Sequence, residues 1–415
     1  MRLVLSNPQG RGYGKLVGHT LFRKKQIVKY SYFLDYLKDK SKSTAIYIDG
    51  TATSLSVIGI RFVFFPKFFS FLELMLWMIA NKVNPFQNRI YFNSNKLQKN
   101  DILVDSCRRV NSQSIGFKGV HLILFTHYFL NAEKTAEKLK LVKNLLPVAE
   151  NDLTSNSFFR AFFPFIKQVY QLPFIFGDRF RSNVKFSERK NQCFAIGTIA
   201  PVDEKNSAFL NFFGYNILQP MRKTIHAHSE NYPQEINSKI TMFENFSTMD
   251  KSSIKKSRFG RFLLKYCPLI LKIVYSNKHK KYFKFDIVAE FNSHKMFTCP
   301  EEVIGLPSIN VFEGMACGCA FIGIDDPMYT NLGLVPGVHY VAHKKDDLND
   351  LIEKIRYYQK KPALLEEIAE KGCEFVRKNF NPKNVADVLW NDLEIISRNF
   401  LQSNNVNISC SFTKK

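Results

Sequence analysis

The chain has 415 residues, a net charge of +23, 45% apolar residues and 23% charged residues. That length exceeds one ordinary core and that apolar content excludes a disordered chain, so two globular domains of roughly 200 residues each are expected. The positive charge selects for anionic partners, namely nucleic acid, an anionic membrane or phosphorylated ligands, without choosing among them.

Residues 2–7 (RLVLSN) read as an apolar strand that leads into a Gly-rich loop, NPQGRGYGK, at 7–15. The loop does not have P-loop spacing, because Leu16 follows Lys15 where Ser or Thr is needed. Residues 45–49, 61–65, 101–106 and 119–129 are further strand candidates, and 70–83 and 132–146 carry helical apolar spacing. Residues 59–80 come nearest to a membrane span, but Arg61, Lys67 and Glu73 interrupt them. Strands alternating with helices predict a parallel sheet wrapped by helices. The polar run 182–192 marks a boundary, giving an N-terminal domain over 1–185 and a C-terminal one over 186–384.

A second alternation follows. Residues 193–199, 295–300 and 319–325 read as strands and 286–293 as a short helix. Residues 346–359 and 362–380 are amphipathic helices. A last helix over 385–402 is a candidate to return to the N-terminal domain, and 403–415 read as a disordered tail. The eight cysteines show no framework spacing, and the start of the chain has no apolar run of signal-peptide length. Both facts fit a reducing cytoplasm.

Residues 251–285 hold eleven Lys or Arg and no Asp or Glu, within an insertion at about 245–285. On a helical wheel Arg258, Arg261, Lys265 and Lys272 share one face, and Phe259, Phe262, Leu263, Leu269, Ile270 and Ile273 cover much of the rest. That is the pattern of a basic interfacial helix on an anionic membrane, although Pro268 would break or kink it. A solvated basic insertion packed on its own domain is the alternative. The Phe-rich segment 157–176 is a second candidate for docking on a membrane.

Chemistry concentrates in GLPSINVFEGMACGCAFIGIDD, residues 305–326, where Glu313 faces a run of small residues. Ser308 is a candidate N-cap and Gly318 a candidate C-cap, so the stretch reads as loop, short helix, Gly, strand. Such a helix directs its free N–H groups to the carboxyl edge of a parallel sheet, where phosphate binds. A carboxylate one turn in suits ribose hydroxyls instead. Small residues beside it let the backbone approach a ligand and let the helix pack on the sheet.

EEVIGLPSINVFEGMACGCAFIG, followed by NLGLVPGVHYV and a closing helix pair, resembles the donor-binding half of GT-B glycosyltransferases, closest in type to family 4. The resemblance spans about 284–390 and implies an α/β architecture of two Rossmann-like, doubly wound domains facing a cleft. Its pattern is Glu, seven residues, Glu, and the second Glu, which binds the nucleotide ribose, falls on Glu313. The first falls on Gly305, a departure. Either Glu302 replaces the missing acid through a longer loop, or N–H groups around Leu306 to Ser308 do so. The resemblance makes Glu313, Gly314, Ser308 and Gly305 donor-binding candidates. It expects an Arg and a Lys on the diphosphate, for which Arg222 and Lys223, or Lys205, are candidates. It also brings Gly12 and Gly14 near the donor phosphates. His127, at a candidate strand end, faces the acceptor in this reading and joins Glu302 as a catalytic candidate; a structural His is the alternative. Glu150 and Asp152 lie at another strand end. His226 and His228 lack acidic or Cys partners at metal spacing, and GT-B enzymes generally need neither a metal nor a cofactor.

The function so implied is transfer of a sugar from a nucleotide-sugar donor to a glycan or lipid-linked acceptor. The setting would be synthesis of bacterial surface polysaccharide or lipopolysaccharide, in the cytoplasm and peripheral to the inner membrane face. Alternatives are a non-catalytic GT-B-like scaffold and a basic nucleic-acid-binding protein. No nucleic-acid recognition motif appears, so no nucleic-acid partner is expected. A Rossmann oxidoreductase is disfavoured because no G-x-G-x-x-G opens a helix after a strand.

Overall fold

The computed structural model describes residues 1–9, 18–20, 23–27, 29–50, 56–57, 60–61, 66–203, 206–242, 285–408 and 411–412. Gly12, Gly14, Lys205 and residues 245–284 of the basic insertion lie outside them.

Seven parallel strands form the first sheet: β1 (Arg2–Ser6), β2 (Thr44–Tyr47), β3 (Arg89–Tyr91), β4 (Asp101–Ser106), β5 (Val120–Leu124), β6 (Leu145–Ala149) and β7 (Tyr170–Gln171). Their order is β7-β6-β5-β4-β1-β2-β3. The central strands are continuous apolar runs because helices cover both faces. In β1, Leu3 and Leu5 enter one core cluster and Val4 enters another. The helices here are α1 (Tyr32–Lys38), α2 (Pro66–Ala80), α3 (Ala132–Leu139) and α4 (Ser157–Phe162).

The second sheet is also parallel: β8 (Lys190–Ala195), β9 (Ile236–Ser238), β10 (His294–Thr298), β11 (Ala320–Ile324) and β12 (Val341–His343), ordered β9-β8-β10-β11-β12. Its helices are α5 (Ser207–Phe213), α6 (Pro220–His228), α7 (Ile287–Ser293), α8 (Ile309–Ala316), α9 (Leu348–Gln359) and α10 (Pro362–Asn379). The fold is α/β with two Rossmann-like halves, as expected.

Helix α11 (Pro382–Ser403) then packs on the first sheet. Its Val385, Leu389, Leu393, Ile396 and Phe400 enter the core that holds Leu3 and Ile102. Full burial of side chains of this size stabilises by about 1.5–3 kcal/mol each. Trp390 meets Tyr36 edge-on at 5.1 Å between ring centroids.

Four sequence expectations need correction. The helix expected over 132–146 stops at Leu139, and β6 takes Leu145 onward. Leu146 pairs with Leu122 and is buried, so completing the sheet outweighs the helical periodicity. The tail expected to be disordered instead packs where it is described: Val406, Ile408 and Phe412 lie on the N-terminal core. Asp392 explains this, because it is buried and accepts from Ser411 N–H at 3.1 Å, Ser411 Oγ at 2.7 Å and Tyr170 OH at 2.8 Å. Segment 157–176 turns most of its phenylalanines inward, since Phe158, Phe159, Phe163, Phe174 and Phe176 are buried and Phe162 and Phe165 are half-buried. Finally, the chain passes between cores ahead of 182–192: Leu172 and Ile175 pack in the N-terminal core, and Phe174, Phe176 and Phe180 in the C-terminal one. The polar run itself is held by buried Arg189, which donates to the carbonyls of Gly318 at 2.7 Å and Cys317 at 3.0 Å.

Asp392→Ala will remove the buried acceptor of three hydrogen bonds, one from Tyr170 OH and two from Ser411. The expected cost is about 1.5–3 kcal/mol in urea unfolding, with a smaller loss for Asp392→Asn, which keeps an acceptor.

Candidate active site

The carboxyl ends of both sheets face each other across a cleft of about 770 Å³. Its walls come from both halves: Lys29 from the first, and Gly197, Thr198, Arg222, Asp286, Glu302, Ser308, Asn310 and Glu313 from the second. Phe174 and Arg179 join them from the connecting segment.

Helix α8 supplies the centre. Ser308 caps it, its Oγ accepting from the Asn310 N–H at 3.3 Å. Gly318, at φ +68°, ends the helix and turns the chain into β11. Glu313 is 7% exposed, and no described group hydrogen-bonds its carboxylate. Burial pushes its carboxyl up to about 8, with Arg179 pulling in the opposite direction. The small residues beside it serve packing. A Cβ on Gly314 would lie 2.5 Å from the Phe297 ring of β10, so Gly314 lets α8 sit down on the sheet rather than letting a ligand approach. That corrects its expected donor-binding role.

Glu302 belongs to a hairpin that crosses to the other half. Glu302 and Leu306 pair, and Gly305, at φ +75°, turns the chain between them. The tip is fastened to the N-terminal half by three donors: Tyr128 OH to Ile304 O at 2.6 Å, Asn151 Nδ2 to Gly305 O at 2.6 Å and Asn156 Nδ2 to Val303 O at 3.2 Å. Ile304 and Leu306 sit in a cluster with Phe125, Tyr128, Phe158, Phe159 and Phe163. Gly305 therefore does not line the main cleft as a donor-binding residue would. It borders a second cavity of about 380 Å³ on the other side of the hairpin, and a side chain there would strike Asn156 at 2.9 Å.

The hairpin leaves Glu302 at the seam, lining both cavities. Its carboxyl is raised by burial, against the pull of Arg222, Lys29 and a 3.0 Å hydrogen bond from Gln219 Nε2. Glu301 turns away from the large cleft and accepts from Tyr329 OH. Of the two acids that precede the motif, Glu302 is thus the one at the cleft.

Arg222 is buried and lines the cleft, donating to Pro300 O at 2.6 Å and Thr198 O at 3.0 Å. Lys223, the next residue on α6, is exposed and is not among the cleft residues, because successive helical positions point about 100° apart. His127 follows β5 in a left-handed conformation, φ +50°. Burial, with Lys29 next in weight, holds its imidazole down to about 4, so it is neutral at neutral pH. It is not among the residues that line the large cleft.

Sequence reading missed three contributors. Lys29 pairs with Glu150 at 3.0 Å, and Tyr30 OH donates to the same carboxylate at 2.7 Å. Glu150 stays below the usual carboxylate range in spite of burial, chiefly through Lys29 and Tyr30. Arg179 faces Glu313, and Asp286 caps α7 at the cleft wall. Glu150 was visible as a strand-end acid, whereas Lys29 and Arg179 were ordinary bases in a basic chain. Among the described residues no group of three or more His, Cys, Asp or Glu has metal-site geometry.

These features define a nucleotide-sized cleft between two Rossmann-like halves, and the comparisons agree. Residues 265–391, about a third of the chain, match the family described as glycosyl transferase-like. Anabaena HepE, solved with UDP, superposes with a TM-score of 0.51 at 9% identity, over 95% of this chain and 99% of its own. A sucrose-phosphate synthase from Thermosynechococcus elongatus gives 0.49 at 12% identity, over 97% and 100%. A glycosyltransferase from Rickettsia africae gives 0.49 at 12% identity, over 97% and 99%. No curated protein matches the chain by sequence. The chain has the GT-B fold, and residues 265–391 match a glycosyl transferase-like family.

Ribose hydroxyls donate to a carboxylate, so a nucleotide held by Glu313 must displace its proton. Nucleotide affinity will rise by up to about tenfold per pH unit below 8 and level off above it. Calorimetry in buffers of different ionisation heat will show proton release at pH 7, which Glu313→Gln abolishes.

Proposed function

We propose that the protein transfers a sugar from a nucleotide-sugar donor to a glycan or lipid-linked acceptor. The observation that carries this is Glu313, buried without a hydrogen-bond partner among the described residues, at the first turns of a capped helix in a two-domain cleft. Its oxygens are not among the fully buried unpartnered atoms, so they open on the cleft, where a ligand's hydroxyls can bond them. HepE, the fold's relative above, was solved with UDP, which supports a nucleoside diphosphate here.

In this reading the ribose lies on Glu313 and the diphosphate crosses the start of α8. The N–H groups at Ser308 and Ile309, the Arg222 guanidinium and Lys29 take up the leaving charge. That leaves no step for which a metal is required. Lys29, Arg179 and Arg222 face Asp286, Glu302 and Glu313 in the cleft. Once Glu313 gives up its proton to take the ribose these charges balance, and the N–H groups at the start of α8 supply the positive end that a diphosphate meets. The donor sugar reaches Glu302 at the seam, and His127 and Glu150 stand on the acceptor side. A bacterial surface glycan built on a lipid carrier fits the basic charge, with the enzyme peripheral to the inner face of the plasma membrane.

Thermal shift with UDP, GDP, CMP and ADP tests the donor site. A nucleotide at 100 times its Kd adds about 2.7 kcal/mol. One base will give that shift in the wild type and none in Glu313→Ala. With its sugar nucleotide, Glu302→Gln will keep the shift and lose turnover, and EDTA will leave turnover unchanged. A folded protein that shifts with no nucleotide refutes the assignment.

A further inference from the structure

One helix face has no partner among the described residues. Helix α2 buries Leu74, Trp77 and Met78 on the first sheet. Its other side shows Phe68, Leu72, Leu76 and Ile79, which are 57%, 38%, 46% and 67% exposed. The spacing i, i+4, i+8, i+11 puts them in one stripe along the helix. Phe86, just past the helix, is 96% exposed and extends the stripe. Five large apolar side chains in line on an otherwise water-facing helix are more than scattered surface residues.

The charges around the stripe identify what covers it. Along the helix and just after it the bases are Lys67, Lys82 and Arg89, and the single acid, Glu73, is buried. Gln87 donates to Lys38 O, which brings residues 35–42 alongside Phe86. That segment adds Lys38 and Lys40 against Asp35 and Asp39, whereas Lys42 and Lys99 lie over Trp390 and Phe400 of α11. A protein partner's groove would bring polar groups to meet such a rim. A sheet of negative headgroups over hydrocarbon matches both the stripe and its cationic border. The helix has 15 residues and lies flat on the sheet, so it fits the plane of an interface; no helix among the described residues is long and apolar enough to cross a membrane.

We infer that the outer face of α2, with Phe86 at its end, docks the protein on an anionic lipid bilayer. Gln9, just beyond β1, donates to Ser70 O within α2, so the docking face adjoins the carboxyl edge of the first sheet. A lipid-borne acceptor would therefore meet the N-terminal side of the cleft. This deepens the lipid-linked reading above, but its test reads binding and not transfer.

The test is co-sedimentation with vesicles of phosphatidylethanolamine and phosphatidylglycerol, against vesicles of phosphatidylcholine alone. The wild type will bind the anionic vesicles and not the neutral ones, and salt will weaken it. Leu72→Gln, Leu76→Gln, Ile79→Gln and Phe86→Ser combined will lower affinity by at least about tenfold. Melting temperature and nucleotide-induced shift will stay at wild-type values, because all four side chains already face solvent. Wild-type protein that ignores anionic vesicles overturns the inference. So does a variant that binds them as well as wild type, which would assign docking to the basic segment 251–285. A concentration-dependent dimer that only the variant loses would overturn it in favour of a second copy of this chain.

Discussion

The seating of the Glu302–Leu306 hairpin in the N-terminal half sets the geometry of everything in the cleft. Ile304 and Leu306 lie among phenylalanines that belong to the other domain, and three side chains fasten the backbone between them. Each of those hydrogen bonds satisfies a carbonyl that would otherwise be buried without a donor. The hairpin is thus a fixed strut between sheets, and the acid at its base is fixed with it. Had the usual pattern placed an acid at position 305, its side chain would have met Asn156. With Gly there, the turn closes, and Glu302 is the acid left at the cleft.

A second theme is how the cleft sets the protonation of its acids one by one. Glu150 and Glu313 are buried and Glu302 is half-buried, and each is treated differently. Glu150 receives an ammonium and a phenol and stays ionised. Glu313 receives neither and holds its proton. Glu302 lies between, beside two cations but bonded only by an amide. This gradient runs from the first half of the molecule to the second, and it separates a carboxylate held as a charge from one that keeps its proton.

Much of the architecture was legible in the order of elements, because apolar runs separated by helical periodicity leave few topologies open. Residues 101–106 and 362–380 were read almost to the residue, since each is bounded by its own turn and capping signals. Residues 132–146 misled because the apolar spacing of α3 continues in phase into β6, and only pairing with β5 decides the matter. In the site, Glu313 and Ser308 were legible because a helix fixes local spacing. Lys29, Arg179 and the strap residues Tyr128, Asn151 and Asn156 were not, since they act across more than a hundred residues of chain. Gly314 was legible as a close contact, but the neighbour turned out to be Phe297 and not a ligand.

The return of α11 to the first sheet also bears on how the chain can fold as it is made. The core around Leu3, Ile46 and Ile102 is lined by Leu389, Leu393, Ile396 and Phe400, and Val406, Ile408 and Phe412 lie against it. When the first 180 residues have emerged, that sheet has its strands but one side of its core is open to water. The core around α8 draws on residues no later than Phe380, so it can form once α10 is available, while Phe209, Leu218, Ile304 and Leu306 lean on the phenylalanines of the first half. Helix α11 and the residues after it come last in the chain, so the core of the first domain is completed only after the second domain has been made.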